Sequence, residues 1–190
     1  PVRDADFVAA LAVASGRRPG LPIPERPQGA PPPPAVPMAA NDPSAPPLNE
    51  RKFGTVGAVA LDSQGRLAAA TSTGGTTAKQ WGRVGDVPVI GAGTYASNAD
   101  GCAVSATGDG EFYIRATVAR DICARIALGA AGRTAGQAEV EDAKSLGGLG
   151  GVIVMTTDGV PAFAMTTSGM YRGAVSSTAQ PHVAIYADED

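Results

Sequence analysis

The chain has 190 residues, room for one domain, with 44% apolar and 17% charged residues and a net charge of −3. That balance offers no basic face for a nucleic acid, and no apolar run reaches the roughly 18 residues of a membrane span. Aromatics make up only 5% and glycines number 25, so the core must be built from Ala, Val, Ile and Leu between many tight turns.

The first residues, Pro1-Val2-Arg3-Asp4, lack the basic-then-apolar order of a signal peptide, and the absence of an initiator Met suggests a fragment of a longer protein. Residues 1–54 hold 13 of the 16 prolines. Within them the sequence predicts a short amphipathic helix at Asp6–Ser15, stopped by Gly16. Pro19–Asn49 then reads as an extended linker, because Pro, Ala and small polar residues cannot bury enough apolar area to offset their ordering entropy.

From Thr55 the character changes. Thr55–Leu61 and Arg66–Thr73 are apolar runs joined by the turn sequence Asp62-Ser63-Gln64-Gly65, which predicts a hairpin with Thr73 beside Thr55. Val87–Ile90 and Cys102–Ala106 read as strands. Ile114, Val118, Ile122 and Ile126 recur every four residues, which predicts one helix over Glu111–Leu128. Thr134 with Gln137 reads as a capping box opening a second helix that ends near Gly147. Gly151–Thr157 and Ala162–Thr167 form a hairpin across Asp158-Gly159, and His182–Ala187 is a last strand. The order of elements predicts an α+β layered sandwich with antiparallel sheets. Cys102 and Cys123 lack metal-ligand spacing and have too few companions for a disulfide framework, so they are expected as buried free thiols in a reducing, cytoplasmic setting.

Four short motifs can carry chemistry. Thr55 opens a strand directly after a proline-rich leader; a freed N-terminal threonine would supply both a hydroxyl nucleophile and an α-amine base. Thr73 closes the facing strand in Ala70-Thr71-Ser72-Thr73-Gly74-Gly75. In Gly82-Arg83-Val84-Gly85-Asp86, Arg83 can grip a carboxylate and Asp86 an ammonium group, which together fit an amino-acid head. In Thr107-Gly108-Asp109-Gly110-Glu111, a hydroxyl and backbone N–H groups can stabilise an oxyanion. Each motif alone also fits a structural role: a strand threonine, a surface ion pair, a capped loop. His182, the one histidine, and Trp81 are read as structural, with Trp81 packed.

In order and spacing these pieces resemble the β-subunit of plant-type asparaginases, or isoaspartyl aminopeptidases, over roughly Thr55–Asp190. The segments carrying the resemblance are GTVGAVALD, AATSTGG, GRVGDVPVIGAGTYA, TGDGE, GGLGGVIV and SGMYRG. The resemblance implies an autoprocessing N-terminal-nucleophile hydrolase with an αββα sandwich, here mainly its β-subunit half. Residues 1–54 would be the tail of the α-part and its linker, ending at a Gly54–Thr55 cleavage site, and residues 55–190 the catalytic β-subunit. It further implies Thr55 as nucleophile, Thr73 as its hydrogen-bonding partner, and Thr107 with Gly108 as the oxyanion hole. Arg83 would bind the substrate α-carboxylate, and Asp86 with the backbone of Gly110 the α-ammonium. The implied reactions are hydrolysis of L-asparagine and of β-aspartyl dipeptides, with no metal or cofactor in bond cleavage and a sodium-binding loop only in the α-part. The implied partner is the α-subunit of the same precursor, in an (αβ)2 assembly. Alternatives are a glycosylasparaginase-type relative and an unprocessed or orphan β-half without activity. Phe53, where relatives often carry His, is expected to slow self-cleavage.

Overall fold

A computed structural model of the chain describes residues 7–14 as backbone, together with residues 54–76 and 79–189. The linker expected over Pro19–Asn49 lies outside the described residues. Two antiparallel sheets stack face to face, and helices cover one of them.

The first sheet joins β1 (Phe7–Ala14), β2 (Thr55–Asp62), β3 (Leu67–Thr73), β8 (Gly169–Ser176) and β9 (His182–Tyr186) in the order β3-β2-β1-β8-β9. The second joins β4 (Thr94–Ser97), β5 (Cys102–Gly108), β6 (Gly150–Thr156) and β7 (Pro161–Met165) in that order. Three helices, α1 (Gly110–Ala116), α2 (Val118–Ala127) and α3 (Gly132–Ser145), lie between β5 and β6 in sequence.

Strand alternation sorts the core into two layers. On β5 and β6, Cys102, Val104, Ala106, Val152 and Val154 face the helices, where they meet Val118, Ile122 and Val140. Their neighbours Ala103, Ile153 and Met155 face the other sheet, where they meet Val59, Leu61 and Leu67. Both strands are therefore buried on both faces, which is why they read as continuous apolar runs. The opposite face of the first sheet differs. Val56, Ala58, Ala68 and Ala70 point outward and are exposed.

Several expectations are corrected. The segment read as a helix at Asp6–Ser15 is the central strand β1, paired with β2 through Ala14↔Thr55 and with β8 through Val13↔Tyr171. FVAALAVA is apolar without a break, so its period cannot separate a buried strand from a helix. Ladder partners on both sides decide for the strand. Val87–Ile90 is a turn rather than a strand, with Val89 N–H donating to the Asp86 carbonyl at 3.0 Å, and Pro88 has no N–H to offer a ladder. The strand here is instead β4, a few residues later, and β8 was not foreseen.

The single helix expected over Glu111–Leu128 is broken at Thr117, which adopts a left-handed conformation with φ 50° and ψ 42°. The break frees the first amides of α2. Ala119 N–H reaches the Ala92 carbonyl at 3.1 Å and Arg120 N–H the Gly91 carbonyl at 2.8 Å. The capping box expected at Thr134 and Gln137 is absent. α3 starts earlier, with Ala131 as its cap residue and no side-chain cap bond. Gln137 instead donates to Glu141 at 3.2 Å.

Cys102 and Cys123, expected as free thiols, form a disulfide with Cα atoms 5.4 Å apart. Cys102 faces the helix layer from β5, and Cys123 lies on the buried stripe of α2. That meeting depends on strand–helix packing, which a spacing of 21 residues does not reveal. With the free thiols gone, the cysteines no longer argue for a reducing compartment.

Candidate active site

Thr55 is the first residue of β2 and is buried. The β2–β3 register sets Thr55 opposite Thr73, and the Thr55 hydroxyl donates to Thr73 Oγ1 at 3.2 Å. Gly75 N–H donates to the same Thr73 oxygen at 2.9 Å. Thr73 is thereby fixed from two sides, and its own hydroxyl proton is left to point elsewhere.

The loop after β3 brings Arg83 and Asp86 to the same place. Arg83 Nε donates to Glu111 Oε1 at 2.7 Å, which orients the guanidinium and holds the Glu111 carboxyl below its ordinary range. The remaining Arg83 nitrogens stay available for a planar, two-point contact. Asp86 is 5% exposed, and its Oδ2 has no hydrogen-bond partner among the described residues. Burial pushes its pKa up to about 6, against the opposing pull of backbone amides and of Arg83. A Cβ on Gly93 would stand 2.7 Å from Asp86 Oδ2, and one on Gly110 would stand 2.7 Å from Oδ1. The carboxylate is therefore cradled by two positions that accept no side chain.

Thr107 is the next-to-last residue of β5, with its Oγ1 buried and without a partner among the described residues, and Gly108 ends the strand. The turn beyond is tied down: Asp109 N–H donates to the Leu149 carbonyl at 2.9 Å, and Leu149 N–H to Asp109 Oδ2 at 3.0 Å. The Tyr113 hydroxyl also lacks a partner among the described residues, and burial pushes its pKa above the ordinary phenol range.

These elements surround a small cleft open to solvent. Thr55, Thr73, Arg83, Asp86 and Gly108 line it, together with Gly54, Gly75, Thr76 and Gly85. Thr107 and Gly110 are not in the lining: the first adjoins Gly108, and the second backs Asp86. His182 is exposed on β9 and does not line the cleft. Trp81, expected to pack, is fully exposed.

The Glu111 brace on Arg83 and the Gly93 half of the cradle are not evident from the sequence. Glu111 stands 28 residues from Arg83, and only its place in TGDGE hinted at the site. A second missed feature is a hydroxyl cluster between the sheets. Thr71 Oγ1 shares a hydrogen bond with Ser105 Oγ at 2.6 Å and accepts one from Thr94. Thr71 lies two residues before Thr73, on the same face of β3, and its side chain ties that face to the second sheet. Among the described residues, no group of three or more His, Cys, Asp or Glu is arranged to hold a metal ion.

What the residues can do together is nucleophilic acyl chemistry on a small zwitterion: a hydroxyl pair, a guanidinium and a buried carboxylate line one cleft, and the Thr107 hydroxyl stands directly behind Gly108 in its wall. A mixed α/β fold of stacked antiparallel sheets carries them. Residues 31–185 match the family profile described as Asparaginase, and the chain belongs to that family, within the N-terminal-nucleophile hydrolases. It is 48% identical over 151 residues to the isoaspartyl peptidase of Escherichia coli K12, covering 78% of this chain and 47% of that protein. It is 46% identical over 152 residues to the isoaspartyl peptidase of Salmonella typhimurium, covering 78% of this chain and 48% of that protein. The isoaspartyl peptidase/L-asparaginase of Xenopus laevis is 43% identical over 148 residues, covering 77% of this chain and 47% of that protein. The chain thus spans about half the length of the curated relatives it matches.

Proposed function

We propose that this chain carries the catalytic half of an autoprocessing threonine amidohydrolase that hydrolyses L-asparagine and β-aspartyl dipeptides. The observation that carries the reading is the bare carboxylate of Asp86. It is buried, and its Oδ2 has no partner among the described residues, on the same cleft as the Thr55–Thr73 pair and Arg83. A buried carboxylate without a donor is costly unless a ligand supplies one, and an α-ammonium group would.

In maturation, Thr55 Oγ1 attacks the Gly54 carbonyl carbon. The Gly54–Thr55 C–N bond breaks as an ester forms to Oγ1, and the Thr55 nitrogen takes the proton. Water then cleaves the ester, leaving a free Thr55 amine. Before this step the Thr55 nitrogen is an amide and cannot serve as a base, so the uncut chain is inert toward substrate.

In turnover, the α-amine accepts the hydroxyl proton and Oγ1 attacks the side-chain carbonyl of the substrate. Thr73 Oγ1 fixes the direction of the nucleophile. The Thr107 hydroxyl and the Gly108 N–H donate to the oxyanion. Arg83 holds the α-carboxylate, while Asp86 and the backbone of Gly110 hold the α-ammonium. Collapse expels ammonia or an amino acid, which leaves with a proton, and water releases aspartate from the acyl-enzyme.

The exposed apolar row Val56, Ala58, Ala68 and Ala70 supports a further helical layer over the first sheet. In this reading an α-part completes an αββα sandwich, and two such units associate.

Thr55→Ala tests the function. Intact mass should stay at the full chain on ageing, and turnover of L-asparagine and β-aspartyl dipeptides should vanish, whereas the parent yields a species beginning at Thr55. Turnover retained in the variant would sink the reading.

A further inference from the structure

Besides Gly54–Thr55 and Gly108, the cleft is lined by two short stretches of chain, Thr73–Thr76 and Arg83–Asp86. The Arg83–Asp86 stretch provides one guanidinium and one carboxylate, which answer the two charges of an aspartyl head. A β-aspartyl dipeptide carries a third charge that asparagine lacks, the carboxylate of the leaving amino acid. Among the charged residues lining the cleft, nothing is left over to answer it.

The Thr73–Thr76 stretch has a cation behind it. Lys79 folds back so that its Nζ donates to the Gly74 carbonyl. Gly75, which lines the cleft, is what makes room for it. A Cβ there would stand 2.8 Å from Lys79 Nζ and 2.9 Å from its Cδ. Gly75 has φ +81°, a conformation a side chain would strain. Two hydrogen bonds, Gly75 N–H to Thr73 Oγ1 and Thr55 Oγ1–H to Thr73 Oγ1, connect this wall to the nucleophile.

An ammonium group has three donors, and Lys79 spends one on Gly74. Among the described residues it belongs to no ion pair. The leaving carboxylate lies only two bonds from the scissile nitrogen, so it must sit close to the nucleophile; Lys79 does not itself line the cleft but stands directly against Gly75, which does.

We infer that Lys79 forms a subsite for the α-carboxylate of the leaving amino acid. It thereby gives β-aspartyl dipeptides an ion pair that asparagine cannot make. The inference rests on the function proposed above and assigns the leaving-group side of that same site.

The test compares β-aspartyl-leucine with its C-terminal amide, in the mature parent enzyme and in Lys79→Met and Lys79→Arg. L-asparagine turnover and intact mass report whether each variant has assembled and processed itself. In the parent, kcat/KM for the free acid should exceed that for the amide by about three- to tenfold, mainly through KM, as expected of a solvent-exposed charge pair. Raising the salt concentration should shrink the ratio. Lys79→Met should bring it near one, and Lys79→Arg should retain it. A ratio near one in the parent, or one that survives Lys79→Met, overturns the subsite while leaving the proposed function standing. A processed parent that hydrolyses none of the three compounds overturns both.

Discussion

Asp86 and Glu139 are both buried carboxyl groups, at 5% and 2% exposure, and in both burial raises the pKa, to about 6 and about 8. Their surroundings differ. Glu139, on α3, accepts from Arg125 Nε of α2 at 2.7 Å, and the same arginine reaches Asp121 at 3.0 Å and Asp142 at 3.1 Å. Asp121 also draws the retained proton of Glu139 into a hydrogen bond, which holds Asp121 below its ordinary range. Every part of that cluster is answered from within the chain, and it fastens α2 to α3. Asp86 has room made for it by two glycines and no donor for Oδ2. A carboxyl that serves the fold is supplied with its counter-charge by the fold. In the function proposed, Asp86 is held ready for a ligand that brings the counter-charge.

Asp86→Asn probes that contrast most severely. With the charge gone the α-ammonium loses its partner, and KM for L-asparagine should rise by about a hundredfold or more. The same variant should melt higher at neutral pH, because ionising Asp86 in the folded state costs about 3 kcal/mol for a shift from 3.8 to about 6. Steady-state kinetics beside thermal melts read both effects. An unchanged KM would make Asp86 as structural as Glu139. Arg125→Met is the mirror experiment. Stability should fall by about 2 kcal/mol, less than for a fully enclosed pair because the Arg125 side chain is 39% exposed, while KM of the processed enzyme holds. A denaturant titration measures the loss.

The smallest effect is in pH. As pH falls through about 6 Asp86 takes up a proton, and KM should rise by a few fold between pH 7 and 5.5. Stability moves the other way. Between 3.8 and about 6 the unfolded chain has released this proton and the folded chain has not, so this group's contribution falls as pH rises across that window and is flat above it. In Asp86→Asn both dependences should flatten, and a profile that keeps its slope would assign the titration to another group.

The site was legible in the sequence to the extent that it is local. The turn Asp62-Ser63-Gln64-Gly65 fixes the β2–β3 register, and the register alone brings Thr73 to Thr55. Arg83 and Asp86 lie in one loop with only two residues between them, so their convergence follows from chain direction rather than from tertiary packing. What stayed hidden is non-local. The identity of β1 depends on β8, more than 150 residues away in sequence, and the bend at Thr117 depends on the carbonyls of Gly91 and Ala92. The Glu111 brace and the Gly93 cradle likewise arise only when separate loops meet.

The Cys102–Cys123 disulfide closes a covalent ring around Thr107, Gly108, Gly110 and Glu111. The turn is held at both ends even when the rest of the chain is unfolded, so its ends need not find one another by diffusion. On refolding, the Thr107–Glu111 turn starts within a loop already closed, and the search that remains is for β2 and the Arg83 loop to arrive against it.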